Sequence, residues 1–305
     1  MIRIASLNLF NYLQPPASYY DFENIYTQQQ WQDKQAWLTR TLFQLDADII
    51  GLQEVFSVEA LKQHLYSIGY GYFYAADEPK VEGGYIYSQP TVAIASRYPI
   101  VEAKPLEVDP ILKQQAHFEF NRTPLLATIA TPELGKLDCT VVHFKSQRPM
   151  EFDVSDIASR HGLQQVERWR STAQRGMESR YLLHLMAKQM REQGQPQIIM
   201  GDFNKDIHSE ELKCLLTDEV VRFFDVKDLM APRLDTATHY YGEHGNILDY
   251  ILVSEALSSS SALQVIEATN YQVLDQHLVS PDYAKDYMSS DHALISVDLN
   301  AIEVG

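Results

Sequence analysis

QPQIIMGDFNKD, residues 195–206, is the stretch from which the fold is read. Ile198, Ile199 and Met200 are consecutive apolar residues, the mark of a short strand covered on both faces. The strand runs into Gly201, Asp202, Phe203 and Asn204. Strand side chains alternate, so Asp202 and Asn204 share one side and Phe203 turns to the other. One reading is a polar turn, since Gly, Asp and Asn are ordinary turn residues. The other is a carboxylate and an amide aimed at one point where a buried strand ends.

Similar strands recur along the chain. IRIASLNL, DIIGLQEV, TVAIAS, PLLATIAT, LDCTVVHF, ILDYILVS and HALISVDL are short apolar runs, most of them nearly continuous. Two segments have helical period. One starts at Trp31 and carries Leu38, Leu42 and Leu45 on its apolar face. The other runs from about 163 to 193 with Leu163, Val166, Ala173, Met177, Leu182, Leu185 and Met186, and Gly194 and Pro196 stop it. Strands and helices in mixed order predict an α/β fold of two packed sheets with helices outside. No repeat or linker divides the chain, and the SSSS run at 258–261 is too short to do so; residues 1–305 read as one catalytic domain. Segments 11–30, 77–90, 145–162 and 269–290 lack period and read as loops, and loops of that length are often functional.

Composition sets bounds. The chain has 305 residues, 45% of them hydrophobic, enough for a large core. No run approaches the roughly 20 apolar residues of a membrane span. MIRIASLNLF reads as a first strand and not as a signal peptide. Cys139 and Cys214 form neither a disulfide framework nor a metal motif. A reducing, cytoplasmic location is expected, with earlier removal of a leader left open. Acidic residues outnumber basic ones 41 to 25, a net charge of −16. That charge serves solubility, disfavours broad nucleic-acid binding and favours a site for a divalent cation.

Polar residues gather at the strand ends. Asn8 follows IRIASL, Glu54 follows DIIGLQ, and His143 follows LDCTVV. Asp202 and Asn204 close PQIIM, Asp249 lies inside ILDYILVS, and Asp291 and His292 precede ALISVDL. An unpaired polar group on a buried strand is costly, and a satisfied core residue or cap is the bland reading of any one of them. If the strands share one sheet edge, the whole set converges. Carboxylates and amide oxygens are hard ligands for Mg²⁺ or Mn²⁺. Two histidines with carboxylates can hold zinc instead, although no HExxH is present. An imidazole paired with a carboxylate suits a general base. A second imidazole and an amide can donate to a charged transition state. Together these describe metal-assisted hydrolysis of a phosphate ester.

LNLFN, LQEV, ASRYPI, VVHFKS, GDFN, LDYILVS and SDHALI also stand in the order found in the endonuclease/exonuclease/phosphatase superfamily, which the chain resembles from Ile2 to Leu299. The resemblance implies a four-layered α/β sandwich and Mg²⁺- or Mn²⁺-dependent hydrolysis of phosphodiesters or phosphomonoesters. It implies Glu54 as principal metal ligand, with Asn8 beside it and Asp291 helping to hold the metal region. It implies His292 as the base that activates water, oriented by Asp249. Asp202 and Asn204 match the pair that handles the nucleophile or leaving group and the scissile phosphate, and His143 matches a phosphate-binding histidine. Lys145 is a candidate phosphate contact or a solvated lysine. Arg97 reads as structural, and Asp206 and His244 have no derived role. Arg148, Arg160, His161, Arg168 and Arg170 read as surface ion pairs or a second anion site.

Three functions compete: a phosphoesterase of small or soluble substrates, a nuclease, and an inactive binding protein. The last is disfavoured because no position that the chemistry needs has lost its residue. The loops ADEPKVEGGYIY (75–86) and MEFDVSD (150–156) are mixed or acidic, against duplex DNA. Tyr85, Tyr87, Tyr271, Tyr283 and Tyr287 can stack bases, line a pocket for a sugar or lipid headgroup, or pack the loops. A phosphate-ester substrate, whether small molecule, nucleic acid or lipid headgroup, is the expected partner, and no obligate protein partner is evident.

Overall fold

Neighbouring residues of one strand enter different cores, which is why the apolar runs are continuous. In β1 (Ile2–Tyr12), Ile2 and Ile4 enter one core, and Ala5, Leu7 and Leu9 enter another. The computed structural model describes residues 1–150, 157–230, 235–259 and 261–302. After β1 come β2 (Ile49–Val55), β3 (Tyr72–Ala75), β4 (Thr91–Ser96), β5 (Ile100–Pro105) and β6 (Leu125–Thr131). Then follow β7 (Gly135–His143), β8 (Gln197–Asp202), β9 (Phe223–Asp225), β10 (Asp249–Ser254), β11 (Ile266–Leu274) and β12 (Leu294–Ala301). They form two six-stranded sheets, ordered β11-β12-β1-β2-β4-β3 and β9-β10-β8-β7-β6-β5.

Each sheet has one parallel pair at its centre, β1 with β2 and β7 with β8, flanked by antiparallel neighbours. A parallel pair needs a crossover connection. Here α1 (Gln28–Leu45) joins β1 to β2. After α2 (Val58–Ser67) and α3 (Pro110–Ala116), the long α4 (Ile157–Gln193) joins β7 to β8. Thr27 starts α1 with a capping box, its hydroxyl accepting from Gln30 N at 3.2 Å and its own N–H donating to Gln30 Oε1 at 2.8 Å.

Three cores separate four layers. Between the sheets lie Ile4, Ile49, Ile94, Val141, Ile198, Met200, Ile251 and Val297. Outside the first sheet, Trp31, Leu38, Leu42 and Leu61 cover Ala5, Leu7, Ile50 and Leu52. Outside the second, Leu182, Met186 and Ala187 cover Val142, Ile199 and Leu252. This is the four-layered α/β sandwich. Two glycines set its close approaches. A Cβ on Gly51 would stand 2.9 Å from the Met200 thioether of the facing sheet. Gly201 has φ +147°, and a Cβ there would lie 1.9 Å from the Val142 carbonyl oxygen of β7.

Several expectations need correction. The first half of α4 does not bury an apolar face: Val166 and Met177 are exposed, and Glu167, Ser171, Arg175 and Glu178 are buried. That stripe is a polar scaffold for two loops, described below. Segment 77–90 holds strands Lys80–Glu82 and Ile86–Gln89, which join Ser18–Tyr19 in a small sheet. Residues 269–274 belong to β11, whose alternation is broken by a bulge around Asn270 at φ +51°. Tyr271 is not a free stacking surface, since it packs in the core between the sheets. The acidic run at 151–156 and Ser260 of the serine run lie outside the described residues. Among the described residues no helix is long and apolar enough to cross a membrane.

Candidate active site

The polar groups continue the inter-sheet faces of their strands. Asn8 follows Ile2 and Ile4 at even spacing. His143 follows Cys139 and Val141, Asp202 follows Ile198 and Met200, and Asp249 precedes Ile251 and Val253. Both parallel pairs end here, so the core between the sheets turns polar at one edge. Carboxyl ends of strands are a common place for ligand sites in open α/β sheets. Asn8, His143, Asp202 and Asp249 are all at most 2% exposed, and His292 is 6% exposed.

Asp202 is the hub. Its Oδ2 accepts from Asn8 Nδ2 at 3.1 Å and Asn204 Nδ2 at 3.2 Å, and lies 3.4 Å from His143 Nε2 and 3.7 Å from His292 Nε2. Its Oδ1 accepts from the Asn204 backbone at 2.8 Å. Asp202 and Asn204 thus converge, but through a turn and not through strand alternation: the strand ends at Asp202, and Asn204 follows at φ +56° with its backbone bonded to the Asp202 carboxylate. His292 Nδ1 is 2.8 Å from Asp249 Oδ2, which leaves Nε2 facing Asp202. Ser290 holds this loop to β1, its hydroxyl donating to the Asn8 carbonyl at 2.6 Å and accepting from His292 N at 3.0 Å.

Glu54 stands on the other side of Asn8, whose Nδ2 is 3.4 Å from Glu54 Oε1. The Asn11 backbone donates to Glu54 Oε2 at 2.9 Å. Glu54, Phe10, Asn11 and Asn204 all have φ between +51° and +58°, an uncommon conformation for residues with side chains. Strain of this kind, of order 1–3 kcal/mol per residue, clusters at sites where geometry is over-determined. Asp291 is half-exposed, with its carboxylate 4.0 Å from His239 Nε2.

The electrostatics divide the groups. Burial pushes the Asp202 pKa up to about 7; His292 opposes this, while Asp249 and Glu54 add to it. Burial alone would lower the His292 pKa, but the carboxylates of Asp249 and Asp202 and the bond to Asp249 raise it well above the ordinary histidine value. For His143, burial and the nearby charges of Arg122, His292 and Lys145 all favour the neutral ring. Asp202 and His292 therefore compete for protons across 3.7 Å, with the imidazole favoured, and His143 stays neutral.

The residues fit a hard divalent ion. Glu54 and Asp291 offer carboxylates, and the buried Asn11 Oδ1 has no hydrogen-bond partner. Lys34, only 2% exposed, feels the charges of both Glu54 and Asp291 and has no hydrogen-bond partner of its own. Among the described residues, two groups, His239 with Asp291 and His292, and Asp202 with Asp249 and His292, have candidate ligand atoms within 4.8 Å of one another.

All eight expected residues gather at this edge. Arg97 is structural, pairing with Asp46 at 2.7 Å over the Tyr70 ring. Arg170 pairs with Glu167 at 3.0 Å. Asp206 caps the turn at His208, and His244 lies exposed on a hairpin. Sequence reasoning missed Asn11, Lys34, Arg122, Ser290 and His239. Lys34 had a visible signal, since it falls on the same helix stripe as Trp31 and Leu38.

The sequence matches the model of the endonuclease/exonuclease/phosphatase family over residues 24–292. A search of curated proteins finds no match. Among solved structures, the Bacteroides thetaiotaomicron mannosyl-6-phosphatase Bt3783 is similar with a TM-score of 0.63 at 18% identity, covering 98% of this chain and 100% of that one. The human Nocturnin catalytic domain with bound sulfate anion gives 0.62 at 17% identity, covering 99% and 94%. The D. rerio TDP2 complexed with single-strand DNA product gives 0.60 at 13% identity, covering 98% and 99%. At these identities the likeness establishes the fold, and the family match covers most of the sequence. The chain belongs to the endonuclease/exonuclease/phosphatase family.

Proposed function

We propose that this protein is a Mg²⁺- or Mn²⁺-dependent hydrolase of phosphate esters. The observation that carries the reading is the buried Asp249–His292–Asp202 series set beside Glu54. Glu54 and Asp291, with Asn8 and Asn11 adjoining, would hold the ion, which when bound supplies positive charge to a phosphate oxygen. Asp249 fixes the His292 ring through Nδ1. His292 and Asp202, 3.7 Å apart, are too close to flank the two ends of an in-line displacement. Both therefore serve the attacking water: unprotonated His292 takes its proton, and the Asp202 carboxylate stabilises the imidazolium that results. In-line displacement then sends the leaving oxygen to the face of the phosphate opposite that water. His143, neutral at Nε2–H, donates to the charged transition state; the two Asn204 amide N–H groups are taken by the Phe144 carbonyl and Asp202, so Asn204 holds the Asp202 carboxylate in place.

A nuclease of the same family is the alternative. The net charge of −16 argues against extended contact with a polyanion. The deciding experiment is a panel of p-nitrophenyl phosphate, bis-p-nitrophenyl phosphate, single- and double-stranded DNA, RNA, inositol phosphates and a phospholipid. Each is offered with Mg²⁺ or Mn²⁺, and His292→Ala is the blank. Hydrolysis that needs the ion and vanishes in the blank supports the proposal. Turnover that survives in His292→Ala, or is indifferent to a chelator, overturns it.

A further inference from the structure

Arg122 lies just before β6, beside the site but outside the machinery described above. Its Nη1 donates to the Phe144 carbonyl at 3.2 Å, and the Asn204 amide donates to the same oxygen at 3.0 Å. Two nitrogens on one acceptor stand roughly 4–5 Å apart, so the guanidinium is the immediate neighbour of Asn204. The charge of Arg122 also reaches His143 and Lys145, adding to burial in lowering the pKa of each. The Tyr20 hydroxyl is a further hydrogen-bonding neighbour. Arg122 Nε is buried without a partner, and the ion pairs among the described residues do not use this side chain. A guanidinium carries five N–H groups in a fixed fork. Here it keeps most of them unspent.

This cation is held in place by the polar stripe of α4. Glu178, buried at 1% exposure, accepts from Asn121 N at 2.8 Å through one oxygen and from Lys145 N at 2.8 Å through the other. One carboxylate therefore ties the residue before Arg122 to the Lys145 end of the β7 segment. Arg175 adds a bond from Nη1 to the Lys145 carbonyl at 2.8 Å and pairs with Glu211 at 3.0 Å. Lys145, 8% exposed, turns its ammonium to Ser146 and to the Arg148 carbonyl. The result is a braced, positively charged wall on the Asn204 side of the site.

A phosphodiester has two non-ester oxygens, which share one negative charge. The metal side and His143 already account for two. A phosphomonoester bears a third, and a fixed guanidinium with spare N–H groups suits it. In a diester that position is an ester oxygen carrying carbon, which would press an alkyl group against a partly buried cation and leave its donors unmet. We infer that Arg122 binds the third charged oxygen of a terminal phosphate, so that this site selects phosphomonoesters over phosphodiesters. The inference rests on the proposed phosphate-ester site, and it is tested by binding as well as by turnover.

Calorimetry with Mg²⁺ present, at about pH 8 where phosphate is largely dianionic, compares inorganic phosphate with dimethyl phosphate. The wild type should bind phosphate at least about 10-fold more tightly, and Arg122→Gln should lose most of that difference. In turnover, Arg122→Gln should lower kcat/KM on p-nitrophenyl phosphate by about 100-fold, and on bis-p-nitrophenyl phosphate only by a few-fold. Arg122→Lys keeps the charge and guards against a merely unfolded variant; it should recover part of the phosphate preference. Equal binding of the two anions by the wild type, or equal losses on both esters in Arg122→Gln, would overturn the inference. Retained phosphate preference with no turnover of either ester would count against the hydrolase proposal alone.

Discussion

Asp249 Oδ2 lies 2.8 Å from His292 Nδ1, and both residues are buried. The carboxylate fixes the tautomer and holds the imidazolium form in a place where burial alone would discharge it. Asp249→Asn keeps the shape and removes the charge. The His292 pKa, followed by NMR of the ring protons, should fall, and turnover should drop about 100-fold or more. An unchanged His292 titration would remove Asp249 from the catalytic arrangement.

The pH dependence follows from the same groups. Water activation needs a proton acceptor on the His292–Asp202 side. The Asp202 pKa stands at about 7, and that of His292 well above its ordinary value. Both accept protons as pH falls, His292 first, so kcat/KM should already decline from above neutrality and fall more steeply below about pH 7 than one group alone allows. Asp202→Asn should leave a shallower acid limb as well as a lower plateau. A wild-type profile that is flat down to the ordinary carboxylate range would contradict the pairing.

Much of this site was legible because the strands are. Ile198 and Met200 set the parity that puts Asp202 between the sheets, and Cys139 and Val141 do the same for His143. Edges and buried polar surface were not legible. β3, β5 and β9 are edge strands, and the alternating or exposed Tyr72, Tyr74 and Val101 give no continuous apolar run. On α4, apolar period does not mark the buried face of the first half. That half instead buries Glu167, Arg175 and Glu178; Arg175 and Glu178 are partnered by backbone groups of distant loops that no local pattern reveals. The turn of Phe10 and Asn11 that carries a backbone donor to Glu54 is likewise a tertiary feature, because its φ values are unusual for those residue types.

Gly201 gives a test of the sheet beneath the site. Its φ of +147°, and the 1.9 Å that would separate an added Cβ from the Val142 carbonyl oxygen, leave no room for alanine. Gly201→Ala should destabilise the protein by about 4 kcal/mol or more, among the largest single-residue effects. Chemical denaturation checks this. A loss below about 1 kcal/mol would mean that β7 and β8 separate easily at the site edge.

Glu54 bears on the ion. A ligand that binds only the folded state raises its stability, by about 2.7 kcal/mol at a hundredfold excess over Kd. Wild-type Tm should therefore climb with Mg²⁺ or Mn²⁺. In Glu54→Gln the climb should need far more metal or disappear. Equal Tm gains in both proteins would place the ion elsewhere, independently of any activity measurement.

Lys34 carries the last prediction. Its ammonium is buried between the rings of Phe10 and Tyr26, each 5.7 Å away. Burial lowers its pKa to about 8, against the pull of Glu54 and Asp291. The folded state thus holds this proton less tightly than the unfolded chain does. The lysine lowers stability in full below about pH 8, and the penalty fades as pH rises toward the ordinary lysine pKa of about 10.4. In chelator at neutral pH, Lys34→Met should be more stable than wild type by up to about 3 kcal/mol. The advantage should vanish as pH rises through that window. Comparing the two proteins at each pH cancels the buried tyrosines and Cys139, which titrate alike in both. A variant less stable than wild type at neutral pH would show that the pull of Glu54 and Asp291 outweighs burial, making Lys34 a stabilising counter-charge to the two carboxylates.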